Sequence, residues 1–435
     1  MRFPKLLPFL FAGSLAILAS CGKDDNKNNN NNNGGGTTND HILSGDVTAN
    51  KSLSNDKPWT LKGYVYVKSG ATLTIPAGTI VKSDVVDKGA IIVEPGGKIM
   101  AEGTSSSPIV FTSGLPKGQR RPGDWGGIIL LGNAPTNRAT PPTIEGGVNR
   151  TYGGTNAADN SGTMKYVRIE FAGIASAPGS EINGLTCGGV GSGTTIENVM
   201  VSYGNDDGFE FFGGTVVCKN LISFSNSDDD FDFDYGFTGG IQNGIVLRNP
   251  QVADPGDAAN GIEADNDGTG TSATPFTRPV LTNLTLVGPN GASNTQANHN
   301  FGNRWRRAVQ FSMSKSIIIG FQKGGFSMES KETTDAYKNG TSEFKNNMVH
   351  ALANTFNAGS GASMTAAEIE TKAIADGCVK LDKAADAKLK DPFKLTAPDF
   401  TPEAGSEAAT KGWGAITGTD WTKGWANWDP NNADY

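Results

Sequence analysis

The chain is poor in the residues that build metal, redox and nucleophilic sites. It has four cysteines and three histidines among 435 residues. There is no Cys-x-x-Cys pair and no pair of histidines at metal-ligand spacing, which argues against a zinc site and a full disulfide framework. No phosphate-binding loop and no nucleophile elbow can be read either. These absences argue against phosphate-loop proteins and against hydrolases built on an elbow serine.

Positive charge and long apolar runs are also scarce. The formal net charge is −7, which argues against nucleic acid and against an anionic lipid surface as partners. The same charge disfavours a polyanion such as pectate, unless a cation bridges the two. The apolar run of residues 6–18 follows basic residues and ends in small ones, so it predicts a secretory signal rather than a membrane span.

The N-terminal segment predicts an exported protein with a lipid anchor. The Leu-Ala-Ser-Cys ending at Cys21 resembles a bacterial lipobox, which implies a signal peptide over residues 1–20 and a lipid on Cys21. An ordinary cleaved signal with a chance cysteine is the alternative. Residues 21–44 are rich in Asn and Gly and have nothing to bury, which predicts a flexible tether. The start of this tether, Gly-Lys-Asp-Asp, resembles the export signal of surface lipoproteins in the Bacteroides group. We therefore expect an outer-membrane lipoprotein exposed at the cell surface.

Glycine is abundant, with 58 residues, and two internal repeats show how the chain is organised. The segment from Lys62 aligns with the segment from Lys88 at an offset of 26 (88 − 62), and Asn198 aligns with Asn220 at an offset of 22 (220 − 198). Short alternating strands with an irregular repeat of this length predict a solenoid of stacked coils. A β-propeller would need repeats of roughly 40–50 residues. We predict an all-β, right-handed parallel β-helix over residues 45–345.

The rest of the chain is predicted to finish the solenoid. In residues 346–400, Thr365 and Glu368 form a capping box before an Ala-rich run, and Gly377 suits the helix end. A partly helical insertion or cap is therefore expected there. Residues 401–435 are rich in tryptophan, and we expect them to cover the last coil because an open sheet edge invites aggregation. A platform for stacking on sugar rings is the alternative for these tryptophans.

Two of the cysteines are predicted to be buried thiols. The repeat register aligns Cys187 with Phe209 and Cys218 with Ile196, both inward-facing positions. Because the two cysteines fall on different strands, core thiols are favoured over a disulfide bridge.

The stretch NDDGFEFFGG, residues 205–214, places three carboxylates in a turn before an aromatic strand. The segment SDDDFDFDYG repeats the pattern one coil later. Alternate side chains of a strand face opposite ways, so the phenylalanines point inward and the acids outward. Stacking then forms an exterior column of Glu210, Asp232 and Glu263. Other acids accompany this column, with Asp234, Asp265 and Glu329 beside it and Asp206, Asp207, Asp228 and Asp229 at the preceding turn.

A column of like charges requires an explanation. Stacked strands lie ~4.8 Å apart, where two like charges repel by about 1 kcal/mol in water and ~3 kcal/mol at an effective dielectric near 20. Bound Ca²⁺ is one explanation, carboxyl groups with raised pKa values for acid–base catalysis are a second, and a solvated acidic stripe is the third. The candidate Ca²⁺ ligands are Asp206, Asp207, Asp228, Asp229, Glu210, Asp232 and Glu263. The candidate catalytic residues are Asp206, Asp207, Glu210 and Asp232.

A cationic cluster, NHNFGNRWRR, stands out in this acidic protein. Its candidate residues for binding an anionic ligand are His299, Arg304, Trp305 and Arg306. Two alternatives stay open for this cluster: the arginines counter the acidic column, or they are ordinary solvated charges.

The coil pattern resembles the pectin-lyase-like β-helix superfamily. With the lipobox, the tether and the Trp-rich tail, the motifs DWGGIILLGNAP and NDDGFEFFGG resemble those of surface β-helix lipoproteins from Bacteroides-related bacteria. The resemblance covers most of residues 45–435 and implies a fold and a location. Among enzymes of the superfamily, Asp206-Asp207 resembles the paired aspartates of polygalacturonase-like hydrolases, but their Gly-His-Gly motif is absent here. Pectate lyases bind Ca²⁺ through aspartates and use an arginine as base, which the column with Arg304 or Arg306 could imitate.

Three functions follow as hypotheses. The leading one is a non-catalytic surface lipoprotein that binds or displays a glycan or other extracellular polymer and assists an outer-membrane transporter. The second is a polysaccharide lyase or glycoside hydrolase that uses the clustered carboxylates, with or without Ca²⁺. The third is a purely structural or adhesive surface protein.

Overall fold

The computed structural model describes residues 41–177 and 180–435. The predicted signal peptide, Cys21 and nearly all of the tether lie outside the described residues. Within the described part of the chain, no helix has both the length and the apolar character needed to cross a membrane.

The chain forms a right-handed parallel β-helix, which confirms the predicted fold class. Its coils build three parallel sheets, called here the front, back and flank sheets. After the first strand, Ile42–Val47, the chain enters Trp59–Val67, which runs from the flank sheet into the front sheet. The front sheet continues through Ala90–Val93, Gly127–Leu131, Leu185–Gly188, Phe209–Phe212, Phe231–Asp234, Ile262–Ala264, Phe301–Trp305, Gly324–Met328 and Asn354–Ala358.

The back and flank sheets share their longest strands, which bend from one sheet into the other. These long strands are Gly162–Glu170, Thr195–Ser202, Val217–Phe224, Gly240–Leu247 and Val280–Val287. The back sheet also contains Lys51–Ser52, Thr72–Pro76, Lys98–Glu102, Ser312–Ser314 and Glu343–Lys345. The flank sheet also contains Ile80–Ser83, Ile109–Ser113, Ile317–Phe321, Met348–Ala351 and Val379–Lys380.

Asparagines make the bend between the back and flank sheets. Asn198, Asn220 and Asn243 all have positive φ angles, of 55°, 55° and 61°, a conformation that asparagine tolerates better than most residues. The side-chain amide of Asn220 donates to Asn198 at 3.4 Å, and that of Asn243 donates to Asn220 at 3.0 Å. The bend therefore repeats in register from coil to coil.

The predicted repeats pair as neighbouring strands. Tyr64 pairs with Ala90 at the offset of 26, and Phe209 pairs with Phe231 at the offset of 22. The inward rings of Phe209 and Phe231 stack with their centroids 5.4 Å apart. Cys187 and Cys218 are buried free thiols, as predicted. The predicted partner of Cys187 was wrong by two residues, because Cys187 pairs with Phe211 and Leu185 pairs with Phe209.

The coils continue beyond residue 345. The strands Met348–Ala351 and Asn354–Ala358 pair in parallel with the preceding coil, and Val379–Lys380 pairs with Met348–Ala351. Helix α1, Lys331–Lys338, interrupts the last coils, and α2, Ala366–Ala375, follows them with the predicted capping box. Ile369 and Ala373 of α2 are fully buried in the solenoid core, so α2 closes its C-terminal end.

The C-terminal tail lies along the flank of the solenoid rather than over its last coil. It contains two short antiparallel strands, Leu389–Asp391 and Asp399–Pro402, and helix α3, Glu407–Lys411. Trp413 and Trp425 are buried against outward apolar side chains of the flank sheet, and Trp421 and Trp428 pack partly buried on the same cluster. The tail is needed there because the outer face of this sheet is apolar. The tryptophans of the tail thus cover the outer face of the flank sheet.

Candidate functional site

The front sheet carries the acidic column in the predicted register. Glu210 pairs with Asp232, and Asp232 pairs with Glu263, on three successive coils. The turn before these strands adds two pairs of aspartates, Asp206 and Asp207 on one coil and Asp228 and Asp229 on the next. All seven candidate Ca²⁺ ligands, which we call the acidic cluster, fall into three overlapping groups: Asp206, Asp207 and Asp228; Asp207, Glu210 and Asp232; Asp229, Asp232 and Glu263.

The spacing within these groups suits a shared cation. In each group, one carboxylate oxygen of every residue lies within 4.8 Å of the others. Ca²⁺ binds oxygens at 2.3–2.6 Å, so two ligands of one ion can be separated by up to about 5 Å. Asp207 and Asp232 each belong to two groups and are the central members of the cluster. All four candidate catalytic residues also lie in the first two groups.

A ladder of hydrogen bonds explains why a side-chain oxygen is needed at four successive turn positions. The N–H of Asp207 donates to Oδ1 of Asn183 at 3.2 Å, and the N–H of Asp229 donates to Oδ1 of Asp207 at 2.9 Å. The N–H of Asn260 then donates to Oδ1 of Asp229 at 2.5 Å, and the N–H of Phe301 donates to Oδ1 of Asn260 at 3.1 Å. Because neutral asparagines serve at both ends, the ladder does not require the negative charges of Asp207 and Asp229.

The other oxygens of the cluster have few donors. Asp207 and Asp229 are only 7% and 4% exposed, and no described residue donates to their second carboxylate oxygen. Oδ1 of Asp228 is buried without a hydrogen-bond partner. Among the residues that the structure describes, none of the seven except Glu263 forms an ion pair with an arginine or lysine. The charge that the fold leaves uncompensated is therefore concentrated from Asp206 to Asp232.

Burial and mutual repulsion change the acidity of the cluster. Burial, reinforced by neighbouring carboxylates, raises the pKa of Asp206, Asp207, Glu210 and Asp232 well above the ordinary range of these side chains. The same causes raise the pKa of Asp228 to about 8. A bound divalent cation would oppose both causes, because it favours the ionised form.

Asp230, the third aspartate of the turn, has a different environment. It is fully buried and faces away from the cluster, toward a buried arginine. Nη1 of Arg248 lies 3.0 Å from Oδ2 of Asp230, and the Ser223 hydroxyl donates to Oδ1 at 2.5 Å. Burial raises the pKa of Asp230 to about 6, against the opposing effect of Arg248. Asp230 is therefore a structural residue, although the sequence places it beside two members of the cluster.

Arginines neutralise the end of the column nearer the C terminus. Arg304 follows Glu263 in the column, and it contacts Glu263 at 2.9 Å and Glu329 at 2.7 Å. Arg306 donates to both oxygens of Asp265, at 2.9 and 2.7 Å, and also pairs with Glu263. The arginines thus counter the column, as one of the open alternatives proposed.

The four residues suggested for an anionic ligand do not form one surface. The Trp305 ring is fully buried and stacks on Phe311 with centroids 4.3 Å apart. His299 is 1% exposed, and its Nε2 lies 3.1 Å from the carbonyl of Asn249. Both side chains are turned away from the arginines because Trp305 alternates with Arg304 along the strand and His299 lies in the turn before it.

Two polar residues at the opposite end of the cluster were not identified from the sequence. Asn183, which begins the ladder, also donates from Nδ2 to Glu145 at 3.0 Å and to Glu210. Glu145 lies between the strands Gly127–Leu131 and Gly162–Glu170, and burial raises its pKa. An alignment of EINGLT with NDDGFE would have identified Asn183 as the residue equivalent to Asp207. No repeat or motif marks Glu145.

The comparison with protein-family models agrees with the coil pattern. A family model described as a pectate-lyase-like β-helix domain matches residues 45–426, which is most of the chain. The chain belongs to this family. A solved structure, the pectate lyase Pel9A, is 13% identical, with 82% of each chain covered and a TM-score of 0.38. Comparison with curated protein sequences finds no match.

Within this pectate-lyase-like β-helix domain, the front sheet offers one chemically distinctive surface. One end of the acidic column is neutralised by arginines, and the other end is joined to Glu145 through Asn183. Between them lie carboxylate oxygens without hydrogen-bond donors. Their separations fit a cation that prefers oxygen ligands. The arrangement can hold a divalent cation, or it can hold protons on carboxyl groups of raised pKa.

Proposed function

We propose that the protein binds Ca²⁺ through the acidic cluster and uses the ion-loaded front sheet to hold an extracellular glycan without cleaving it. The observation that carries the proposal is the ladder from Asn183 to Phe301. Its hydrogen bonds need an oxygen at residues 207 and 229, and asparagine supplies that oxygen at the neighbouring positions. When these two buried carboxylates are ionised, they need a positively charged partner, and a hard divalent cation is the partner that clustered carboxylates prefer.

A glycan fits the remaining coordination positions of such an ion. Ca²⁺ takes six to eight oxygen ligands, so a group of three carboxylates leaves positions for hydroxyl or carboxylate oxygens of a sugar. Since the chain carries a net charge of −7, a uronic acid polymer would be attracted only through the cation. Beyond Arg304 the column continues with Ser327 and Asn357, which are hydrogen-bonded at 2.9 Å. The ion would thus sit within a longer polar surface.

Binding without cleavage is supported by the state of the arginines. Arg304 and Arg306 are both held in pairs with Glu263, and each has a second carboxylate partner. These ion pairs raise the pKa of both arginines, with burial opposing the change. A guanidinium held in this way is a poor proton acceptor.

The enzymatic alternative has one observation in its favour. Carboxyl groups with a pKa near neutrality, such as that of Asp228 at about 8, can donate or accept protons in acid–base chemistry. In that case Asp206, Asp207, Glu210 and Asp232 would act as a polysaccharide lyase or glycoside hydrolase site.

One experiment separates these functions. The purified chain is applied to a glycan array and to soluble polygalacturonate, with either Ca²⁺ or EDTA, and chain cleavage is followed in parallel. Calcium-dependent retention without new chain ends supports the proposal. Depolymerisation that Asp207→Asn abolishes would establish the enzyme instead. If the protein binds no glycan on the array and instead associates with itself, a structural or adhesive protein is favoured.

The cellular setting is part of the same proposal. A lipid on Cys21 would hold the β-helix at the outer membrane, where a captured polymer could be passed to a transporter. Cys21→Ala should then release the protein from the membrane fraction. Unchanged membrane association of this variant would contradict the lipid anchor.

A further inference from the structure

Behind the acidic turn lies a buried arginine, Arg248, which follows the strand Gly240–Leu247. Its side chain is 1% exposed. Nη1 donates to the carbonyl oxygen of Asp228 and, at 3.3 Å, to that of Asn260, while Nη2 donates at 3.3 Å to the carbonyl oxygen of Ser227. One guanidinium therefore binds the backbone of two successive coils at the turns that border the cluster.

The carbonyls bound by Arg248 belong to the segments that orient two candidate ligands. The oxygens of Ser227 and Asp228 flank the start of the turn that carries Asp228 and Asp229. The N–H of Asn260 is the donor that holds Oδ1 of Asp229. By fixing both of these backbone segments, Arg248 fixes the direction in which Asp228 and Asp229 present their free oxygens.

A polar network extends this support to the preceding coil. Asp230 pairs with Arg248 and accepts a hydrogen bond from Ser223, and the Asn226 side chain donates to Ser223 at 2.7 Å. The other end of the Asn226 side chain accepts from the N–H of Gly204 at 2.7 Å, just before Asp206 and Asp207. The turns of three consecutive coils are thus joined from behind through one set of buried side chains.

The positive charge of Arg248 repels a cation at the front of the turn less than an unpaired guanidinium would. Asp230 lies 3.0 Å from Nη1 and compensates the charge inside the core. The fork of guanidinium donors also has no equivalent in lysine, whose single ammonium cannot reach several carbonyls in one plane.

We infer that Arg248 is a positioning residue of the acidic cluster, which sets the geometry of Asp228 and Asp229 for a bound cation without touching it. The inference rests on the proposed cation-binding function. Changes in residues that orient metal ligands typically reduce metal affinity by about 10–100-fold, and we expect a loss in this range.

The test uses the full chain with Tb³⁺ as a luminescent probe and Ca²⁺ as its competitor. The main variant combines Arg248→Gln with Asp230→Asn, so that no unpaired charge is left buried. Arg248→Lys is the second variant, because it retains the charge and loses the fork. Val246→Ala, a change at a buried core residue of the strand that precedes Arg248, lowers stability without touching the turn and serves as the control.

Three quantities are measured: Ca²⁺ affinity, the number of waters on bound Tb³⁺ from luminescence lifetimes in H₂O and D₂O, and the melting temperature in EDTA. We expect both Arg248 variants to lose Ca²⁺ affinity by about tenfold or more and to gain coordinated water. The control should melt at a lower temperature with unchanged affinity and hydration.

The inference would be overturned if the Arg248 variants kept the Ca²⁺ affinity and the Tb³⁺ hydration of the wild type. It would also be overturned if Val246→Ala lost as much Ca²⁺ affinity as they do. If the double variant does not fold, Arg248→Lys decides the question. Absence of binding to the wild type would refute the proposed function itself, and the inference with it.

Discussion

Replacing Asp207 by asparagine removes one charge from the centre of the acidic cluster and retains the ladder. The amide oxygen of the new side chain can accept from the N–H of Asp229, as Asn183 and Asn260 do at equivalent positions. The fold should therefore tolerate the change. What the variant loses is a carboxylate shared by two of the three candidate ligand groups.

The expected size of the effect follows from the neighbours of Asp207. Four carboxylates share a group with it, those of Asp206, Asp228, Glu210 and Asp232, with oxygens within 4.8 Å. Each fully ionised pair at that distance costs about 1 kcal/mol in water and ~3 kcal/mol at an effective dielectric near 20. Since the raised pKa values leave part of the cluster protonated at neutral pH, we expect a net gain of about 1–3 kcal/mol for the ion-free variant. Calcium at 100 times its dissociation constant should stabilise the wild type by about 2.7 kcal/mol.

Thermal unfolding in EDTA and in Ca²⁺ measures both effects. Unfolding entropy near 2.1 cal/mol/K per residue means that 1 kcal/mol shifts the melting temperature of a folded unit of this size by about 1 °C. We expect Asp207→Asn to melt about 1–4 °C higher than the wild type in EDTA at pH 8. The Ca²⁺-induced rise of about 3 °C in the wild type should largely disappear in the variant.

The matched control is Asp382→Asn, an exposed aspartate outside the cluster that forms no ion pair with any described residue. It should behave like the wild type in both buffers. The reasoning is refuted if Asp207→Asn responds to Ca²⁺ as strongly as the wild type does. A variant that is destabilised in EDTA would likewise show that the charge at residue 207 is structural.

Three further predictions concern the same coils. Asp230→Asn should lower the free energy of unfolding by about 3–5 kcal/mol, because it leaves the buried Arg248 without its carboxylate, and urea unfolding that matches the wild type would contradict this. In EDTA, the melting temperature should fall as pH rises from about 4 to about 8, since folded Asp228 has a pKa of about 8 and holds a proton that the unfolded chain releases near pH 4. The Ca²⁺-induced rise should grow over the same interval, and a pH-independent response would count against ligation by this carboxylate. Trp425→Ala should cost about 3–5 kcal/mol and expose the flank sheet to the dye ANS, and unchanged dye binding would contradict the role of the tail as a cover.

The acidic column could be predicted because it depends on strictly local rules. A strand has a period of two, and the match between NDDGFEFF and SDDDFDFD set the register of neighbouring coils. The pairing of Glu210 with Asp232 and then with Glu263 followed directly. The capping box of α2 was predictable for the same reason, since Thr365 and Glu368 interact within one helical turn.

Features that depend on long-range packing were not predictable in this way. Glu145 reaches the cluster from a segment without a repeat, and Arg248 acquires its role only through burial behind the turn. The position of the tryptophan-rich tail was missed, although strands such as Thr195–Ser202 contain a continuous apolar run, which is typical of a sheet covered on both faces. The hydrogen-bond ladder was not predictable from the sequence either, because it joins a side chain of one coil to the backbone of the next.

The position at which a cation binds is the most direct test of the proposed function. Crystals of the protein soaked in Tb³⁺ or grown with Ca²⁺ would locate the ion by its anomalous scattering. We expect a peak on the front sheet, within about 2.3–2.6 Å of carboxylate oxygens that include Asp207 or Asp232. Strong data with the acidic cluster free of any ion at a saturating cation concentration would contradict the account.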